Sequence, residues 1–437
     1  MMWAEEEFAD LDLGDARLNR RLMRLAETFA RQPQASIPSA CGGWAETKGA
    51  YRFFGAGSVG WQDILQPHWD CTRTRMSEHP VVLCLQDTTE LDFNGQKIAG
   101  LGRLSYEAQR GMYLHPTYAV TPDREPLGVI DAWMWARPEV GAPAPVESTR
   151  WIEGYARVAE QASALPQSRL VYVADREGDM LELMQYAQTL GHPADWLLRA
   201  RHDRKLPGGG KLWATVTTGE PLGSIRFTQP ARPGQPAREV RQSVYARRVT
   251  LAGGITVTCV VARERQAPPG IKPLEWRLLS NRDGVDFASA IELIDWYRVR
   301  WEIELLFHLV KNACRIEALQ LSTVPRLERA IALYLVVAWR IARLMRLGRT
   351  CPELPAELFF EPDEWKGAHV LLKKKVPGSP PTLNTVIRLI ATLGGFLGRK
   401  RDGEPGVKTL WIGLQRVTDF ATGLRYARES GERLTCG

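Results

Sequence analysis

Cysteine is scarce. The 437-residue chain carries seven, at positions 41, 71, 84, 259, 314, 351 and 436. Their number is odd and none forms a CxxC pair, which argues against a zinc module and a disulfide framework and fits a reducing compartment. Long apolar runs are missing too. No uninterrupted stretch reaches the length of about 18 residues that a spanning helix needs, so no membrane partner is expected. The chain opens MMWAEEEF, acidic where a secretory leader is basic and apolar. A cytoplasmic location is the expectation. Internal repeats and long low-complexity tracts are also lacking, which excludes a repeat array.

What remains has ordinary globular composition, 44% hydrophobic and 24% charged, with length enough for two or three domains. The net charge of +7 is a modest excess and by itself a weak pointer to a polyanionic partner. Where the cations fall is more informative. Asp15 is a good N-cap for ARLNRRLMRLAETFARQ, in which Leu18, Leu22, Leu25 and Phe29 share one apolar face. Arg20, Arg21 and Arg24 lie largely elsewhere, on a face that is either merely solvated or turned to phosphates. The segment ETKGAYRFF adds Lys48, Tyr51 and Arg52.

From about residue 80 the pattern becomes α/β. VVLCLQ (81–86) reads as a buried strand, LHPTYAV and LGVIDAWMW as a β-hairpin, 145–164 as a helix, RLVYVA (169–174) as a strand, 178–190 as a helix and DWLLRAR (195–201) as a strand. Residues 202–280 turn Gly-, Pro-, Thr- and Val-rich and read as an antiparallel β insertion. Helix resumes after Asp286 to about Cys314 and again at 325–347. The Pro-rich stretch 350–381, with its KKK run, reads as a loop-rich link, and 382–437 as helical. The order β-β-β-α-β-α-β matches the ribonuclease-H-like fold.

In that order the first and fourth strands are neighbours, each followed by an acidic residue, Asp87 in LCLQDTTEL and Asp175 in VYVADREGD. An Asp at a strand end is commonly a turn residue. A third element changes the reading: WYRVRWEIELLFHLVKNA carries Tyr297, Arg300, Glu304 and Lys311, at spacings of 3, 4 and 7. At about 100° per residue they fall within roughly 60° of one helical face, with His308 on the same stripe. Such a line is a poor core face. Three carboxylates can hold two hard divalent cations about 4 Å apart, and flanking cations can hold phosphates.

Y-x2-R-x3-E-x6-K resembles the signature of bacterial insertion-sequence DDE transposases of the hairpin-forming IS-four type, the branch of the kanamycin-transposon enzyme. QDTT around Asp87, ADREGD around Asp175, GAYRF at 49–53 and LGGF at 393–396 follow in family order. The resemblance implies an α/β ribonuclease-H-like core with a β-rich insertion, flanked by an N-terminal helical DNA-binding domain (1–65) and a C-terminal helical dimerisation region (349–437), the catalytic domain covering 66–348. It implies Mg2+, with Mn2+ as a substitute, on Asp87, Asp175 and Glu304. It implies DNA contacts by Arg20, Arg21, Arg24, Lys48, Tyr51, Arg52, Arg199, Arg201, Tyr297, Arg300, His308 and Lys311. It places Trp276, in LEWRLL, as an aromatic that stacks on an extruded base, where the residues alone also allow a core Trp. His308 stands where a Lys is common, and Glu302 where a second Arg is.

The implied activity is cut-and-paste transposition: nicking at the element's end, closure and opening of a DNA hairpin, then strand transfer. The implied partners are duplex DNA, as terminal inverted repeats and as target, and a second copy of the chain, in a nucleoid-associated setting. The alternative is a catalytically silent regulator or domesticated relative that only occupies the ends. A plain metal-dependent nuclease of the same fold would need neither an end-binding domain nor Trp276.

Overall fold

The computed structural model describes residues 3–106, 108–138, 141, 146–229, 236–399 and 402–429. Cys436, residue 145 of the expected helix and the last eight residues of the expected C-terminal helical region lie outside them. Five helices lead: α1 (Trp3–Glu7), α2 (Ala16–Arg31), α3 (Ile37–Cys41), α4 (Trp44–Phe54) and α5 (Trp61–Ser77). Asp15 caps α2, accepting the N–H of Arg17, and the α2 stripe packs inward with Leu22, Leu25 and Phe29 buried.

The α/β part follows as β1 (Val81–Gln86), β2 (Thr89–Asp92), β3 (Gly102–Arg103), β4 (Arg110–Val120), β5 (Pro126–Trp135), α6 (Thr149–Ala164), β6 (Arg169–Ala174), α7 (Leu181–Thr189) and β7 (Asp195–Arg199). The insertion holds α8 (Leu212–Val216), β8 (Gly223–Gln229), β9 (Arg238–Thr250), β10 (Thr256–Glu264) and β11 (Glu275–Ser280). All strands join one sheet, ordered β2-β4-β1-β6-β7-β11-β10-β9-β8, with β3 and β5 also on β4. β1 runs parallel to β6 and β6 to β7, whereas β7 meets β11 antiparallel. The insertion therefore prolongs the core sheet. This is a ribonuclease-H-like core with a β-rich insertion.

β1 is apolar at almost every position because both its faces are covered. Leu83 and Leu85 enter the core under the late helices, and Val82 and Cys84 the core under α6 and α7. The late helices are α9 (Phe287–Val299), α10 (Trp301–His308), α11 (Val324–Thr350), α12 (Pro362–Leu371), α13 (Leu383–Leu393) and α14 (Val407–Glu429). α11 has 27 residues, starts with Pro in its first turn and is buried along most of its length. It packs against α2, α4, α5, α13 and β5 and forms the spine of the molecule. Among the described residues no helix is long and apolar enough to cross a membrane.

Two expectations need correction. The stretch 350–381 contains α12, started by Pro362 and by a capping box between Glu361 and Glu364. Capping boxes usually begin with Ser or Thr, so this one carries no familiar signature. The helix after Asp286 is not continuous. Asp286 does cap it, but α9 ends at Val299, Arg300 sits at the break, and 309–313 form a π-helical turn. The expected boundaries at 65/66 and 348/349 lie within α5 and α11, helices that run on from one unit into the next.

Candidate active site

The last register pair between β1 and β6 is Gln86 with Ala174. Asp87 and Asp175 are the next residues, so two neighbouring parallel strands release their carboxylates side by side at one sheet edge. Each is fixed by its own backbone turn. Asp87 Oδ1 accepts the Thr88 N–H (2.8 Å), and Asp175 Oδ1 accepts the Glu177 N–H (2.9 Å). Behind them, the Thr88 hydroxyl contacts His115 Nδ1 (2.9 Å) and accepts from Arg150 Nε (3.3 Å). Burial and the nearby Arg150 charge push His115 down to about 3, so it is a neutral prop.

The signature helix supplies the rest. Arg300, at the α9–α10 break, donates through Nη1 to Asp87 Oδ2, and its Nη2 lies 3.5 Å from Glu304 Oε1. Asp175 is close enough to act on Arg300 electrostatically as well. One guanidinium thus offsets part of the charge of three carboxylates. Asp87 is pushed up to about 7, chiefly by burial. The Arg300 charge opposes that rise, while Asp175 and Glu304 add to it. Tyr297 is buried, and burial raises its phenol against the pull of Arg300 and Arg199. Its hydroxyl has no well-formed partner.

Three family models match the chain in order. They are Transposase DNA-binding (residues 1–59), Transposase DDE domain (171–340) and Transposase Tn5 dimerisation domain (336–433). The chain belongs to the Tn5-like DDE transposases. The DDE match contains Asp175 and Glu304 but begins after Asp87, whose assignment rests on the strand register. A solved piggyBac transposase synaptic complex with hairpin DNA is also similar, at 8% identity and a TM-score of 0.36, over 85% of this chain. The chain spans 63% of the length of that one.

The other expected contact residues divide into groups. Arg21 and Arg24 both pair with Glu46 of α4, Arg24 at 2.9 Å, while Arg20, Lys48 and Arg52 are exposed. Tyr51 is half-buried. At Gly49 of GAYRF the Arg21 guanidinium carbon packs 2.6 Å from where a Cβ would stand, so a side chain there would push that flexible guanidinium aside. Arg199 ends β7 beside Tyr297. Arg201 is exposed, its N–H donated to Asp179 (2.7 Å). Trp276 is half-buried. Its ring lies parallel to Phe227, 5.9 Å between centroids at 11°, with the Arg298 guanidinium 5.9 Å away.

Along the signature helix the stripe residues differ in their surroundings, and a turn at Arg300 and a π turn at 309–313 interrupt the regular α-helical hydrogen bonding. Tyr297 turns inward. Lys311 reaches Glu317 (3.7 Å), and His308 lies against Trp411 of α14 (5.5 Å), bonded to Asn312 (2.9 Å). Glu302 binds Arg124 in the β4–β5 turn (3.0 Å), so this departure from the family pattern has a structural partner.

Sequence reasoning missed Asp179, Trp301, Phe227 and Arg298. Asp179 is buried, pairs with Arg204 (2.7 Å) and accepts the N–H groups of Arg201 and His202. It closes the ADREGD motif and was readable there. Trp301 is 60% exposed between Arg300 and Glu302, a large unshielded indole beside the acidic site. Phe227 and Arg298 carried no motif.

The donor set suits a hard divalent cation: three carboxylates around one positive charge, all oxygen. Among the described residues, though, no three His, Cys, Asp or Glu stand close enough to hold one ion together. Arg300 lies among these carboxylates, bonded to Asp87 and 3.5 Å from Glu304.

Proposed function

We propose that this chain is a cut-and-paste DNA transposase that nicks the ends of its element, closes and opens a DNA hairpin, and joins the freed end to target DNA. The observation that carries the reading is the Gln86–Ala174 register. It sets Asp87 beside Asp175, with Arg300 tying Asp87 to Glu304. Asp87, Asp175 and Glu304 are the residues to hold Mg2+, or Mn2+ in its place, which when bound supplies charge stabilisation at the scissile phosphate and activation of water. Arg300 moves from carboxylate to phosphate when DNA enters, since a guanidinium binds either with the same planar fork. Arg199, Arg201 and Lys311 hold neighbouring phosphates, and His308 lies at their margin. Tyr297, buried beside Arg300 and Arg199, positions those guanidinium groups for the same strand. Trp276 stacks on an extruded base.

The proposed division is an N-terminal end-binding unit (1–65), a catalytic unit (66–348) and a C-terminal dimerisation unit (349–437), with α5 and α11 as shared connectors. In the synaptic complex two copies hold two terminal repeats, with the nucleoid as the setting. The test is end nicking in Mg2+ by Asp87→Ala, Asp175→Ala and Glu304→Ala. Each is expected to bind end DNA and cut none. Substantial cleavage by any one removes that residue from the site. Binding without cleavage by the parent chain favours the silent regulator.

A further inference from the structure

Three arginines stand abreast on the outer strands of the insertion. Arg226 of β8 is directly opposite Arg241 of β9. The Arg241 carbonyl accepts the N–H of Arg265, just past the end of β10, at 2.9 Å. All three are exposed. Side chains alternate along a strand, so cross-strand partners share a face. Trp276 is opposite Ala262, and Ala262 opposite Val244, an odd number of residues from Arg241. The arginine row therefore lies on the face of the insertion turned away from Trp276.

Like charges directly opposite in an antiparallel pair destabilise a sheet. A neighbour on the same face, Arg263, is neutralised by Glu275 (2.9 Å). Among the described residues, Arg226, Arg241 and Arg265 form no ion pair. The exposed residues around the row are Ser224, Thr228 and Glu239. None is the buried aromatic anchor on which protein interfaces concentrate much of their energy. What the row offers is charge at regular spacing and planar donors, the requirement of a phosphate backbone.

We infer that Arg226, Arg241 and Arg265 grip the phosphate backbone of a second DNA duplex, distinct from the one whose extruded base Trp276 holds. The inference rests on the transposase reading. Two sources share this chemistry: target DNA, and a transposon end reaching across from the partner subunit's side of the complex.

The test uses the full chain with Arg226, Arg241 and Arg265 all changed to Ser, beside a triple Lys version that keeps the charge. Binding is measured against salt on a random-sequence duplex and on a duplex bearing the element's terminal repeat. Loss of three phosphate contacts should flatten the slope of log affinity on log salt by about 2 to 3, and the Lys version should restore most of it. Flattening on the random duplex alone assigns the row to target DNA. Flattening on the repeat duplex alone assigns it to a transposon end. At low salt the Ser version should melt no lower than the parent, because like charges are removed. Unchanged slopes on both duplexes, with parent-like melting, overturn the inference and leave the transposase reading intact. A parent chain that binds neither duplex overturns both.

Discussion

Arg300 bridges Asp87 and Glu304, bonded to the first and 3.5 Å from the second. The same cation offsets only part of the burial cost at Asp87, which is why that carboxyl sits near 7 instead of its ordinary 3.8. The raised value fixes the sign of a stability effect. The metal-free folded protein binds this proton more tightly than the unfolded chain does. The contribution is fully present below about 3.8 and is lost as pH rises through about 7. Asp87→Asn should remove that loss. Melting temperatures of parent and variant, compared without metal across this window, should diverge toward neutral pH, with the variant higher. Parallel curves would show that Asp87 is ionised with no penalty.

Removing the bridge should act in the opposite sense on catalysis. Arg300→Gln leaves Asp87 without its nearest cation, so its proton is held to still higher pH. A charge-assisted hydrogen bond is worth about 1.5–3 kcal/mol, so nicking at neutral pH should fall roughly 10- to 150-fold. The pH–rate profile should shift to higher pH, and a lower rate with an unshifted profile would confine Arg300 to phosphate binding.

At the N-terminus the pairing of Arg21 and Arg24 with one carboxylate changes what each charge is worth. Glu46→Gln frees both guanidinium groups, so end binding should tighten and its salt dependence steepen by up to about 2 in slope. Arg20→Ala removes an already exposed cation and should flatten the slope by about 1. If both variants match the parent in titrations against salt, this face is merely solvated.

Much of the architecture was legible because it is written in short-range patterns. β1 and β6 are continuous apolar runs, and Asp15 and Asp286 are caps in plain view. The residues that interrupt a pattern were not legible. The turn at Arg300 keeps helical dihedrals and only tightens the local hydrogen bonding to residues three apart, and no helical periodicity registers it. The Arg21–Glu46 pair joins residues 25 apart through the packing of α2 on α4. The junction of β7 with β11 depends on where the insertion folds back. The latter two are long-range choices among partners, visible only once the chain is closed.

Asp179 makes a prediction about the loop that follows β7. Its buried carboxylate neutralises Arg204 and takes two loop N–H groups, so Asp179→Ala leaves a buried cation and two unpaired donors. Breaking such a pair costs about 3–5 kcal/mol. The variant should melt well below the parent, and protease should enter the 200–211 segment first. Asp179→Asn keeps the acceptor for the N–H groups and should recover part of the loss. Normal melting by the Ala variant would mean that the loop is held by other contacts.

The last prediction separates DNA hairpin closure from nicking. Nicking needs a phosphate, water and the acidic site, and should tolerate the loss of Trp276. Closure needs the 3′ hydroxyl to cross to the other strand, which requires an extruded base near the end. A base stacked on an aromatic ring is worth about 1–3 kcal/mol, so Trp276→Ala should slow closure by roughly 5- to 150-fold and accumulate nicked ends. Phe227 lies parallel to the indole and Arg298 packs on both rings, at 5.6 and 5.9 Å. Phe227→Ala should therefore give a weaker version of the same defect, since the indole loses its backing but keeps its face. An abasic nucleotide at the extruded position should partly rescue Trp276→Ala, because less unstacking is then required. Closure at the parental rate in both variants would make the pair a packing contact of the insertion. Failure of a folded Trp276→Ala protein to nick would move the indole into the cutting step itself.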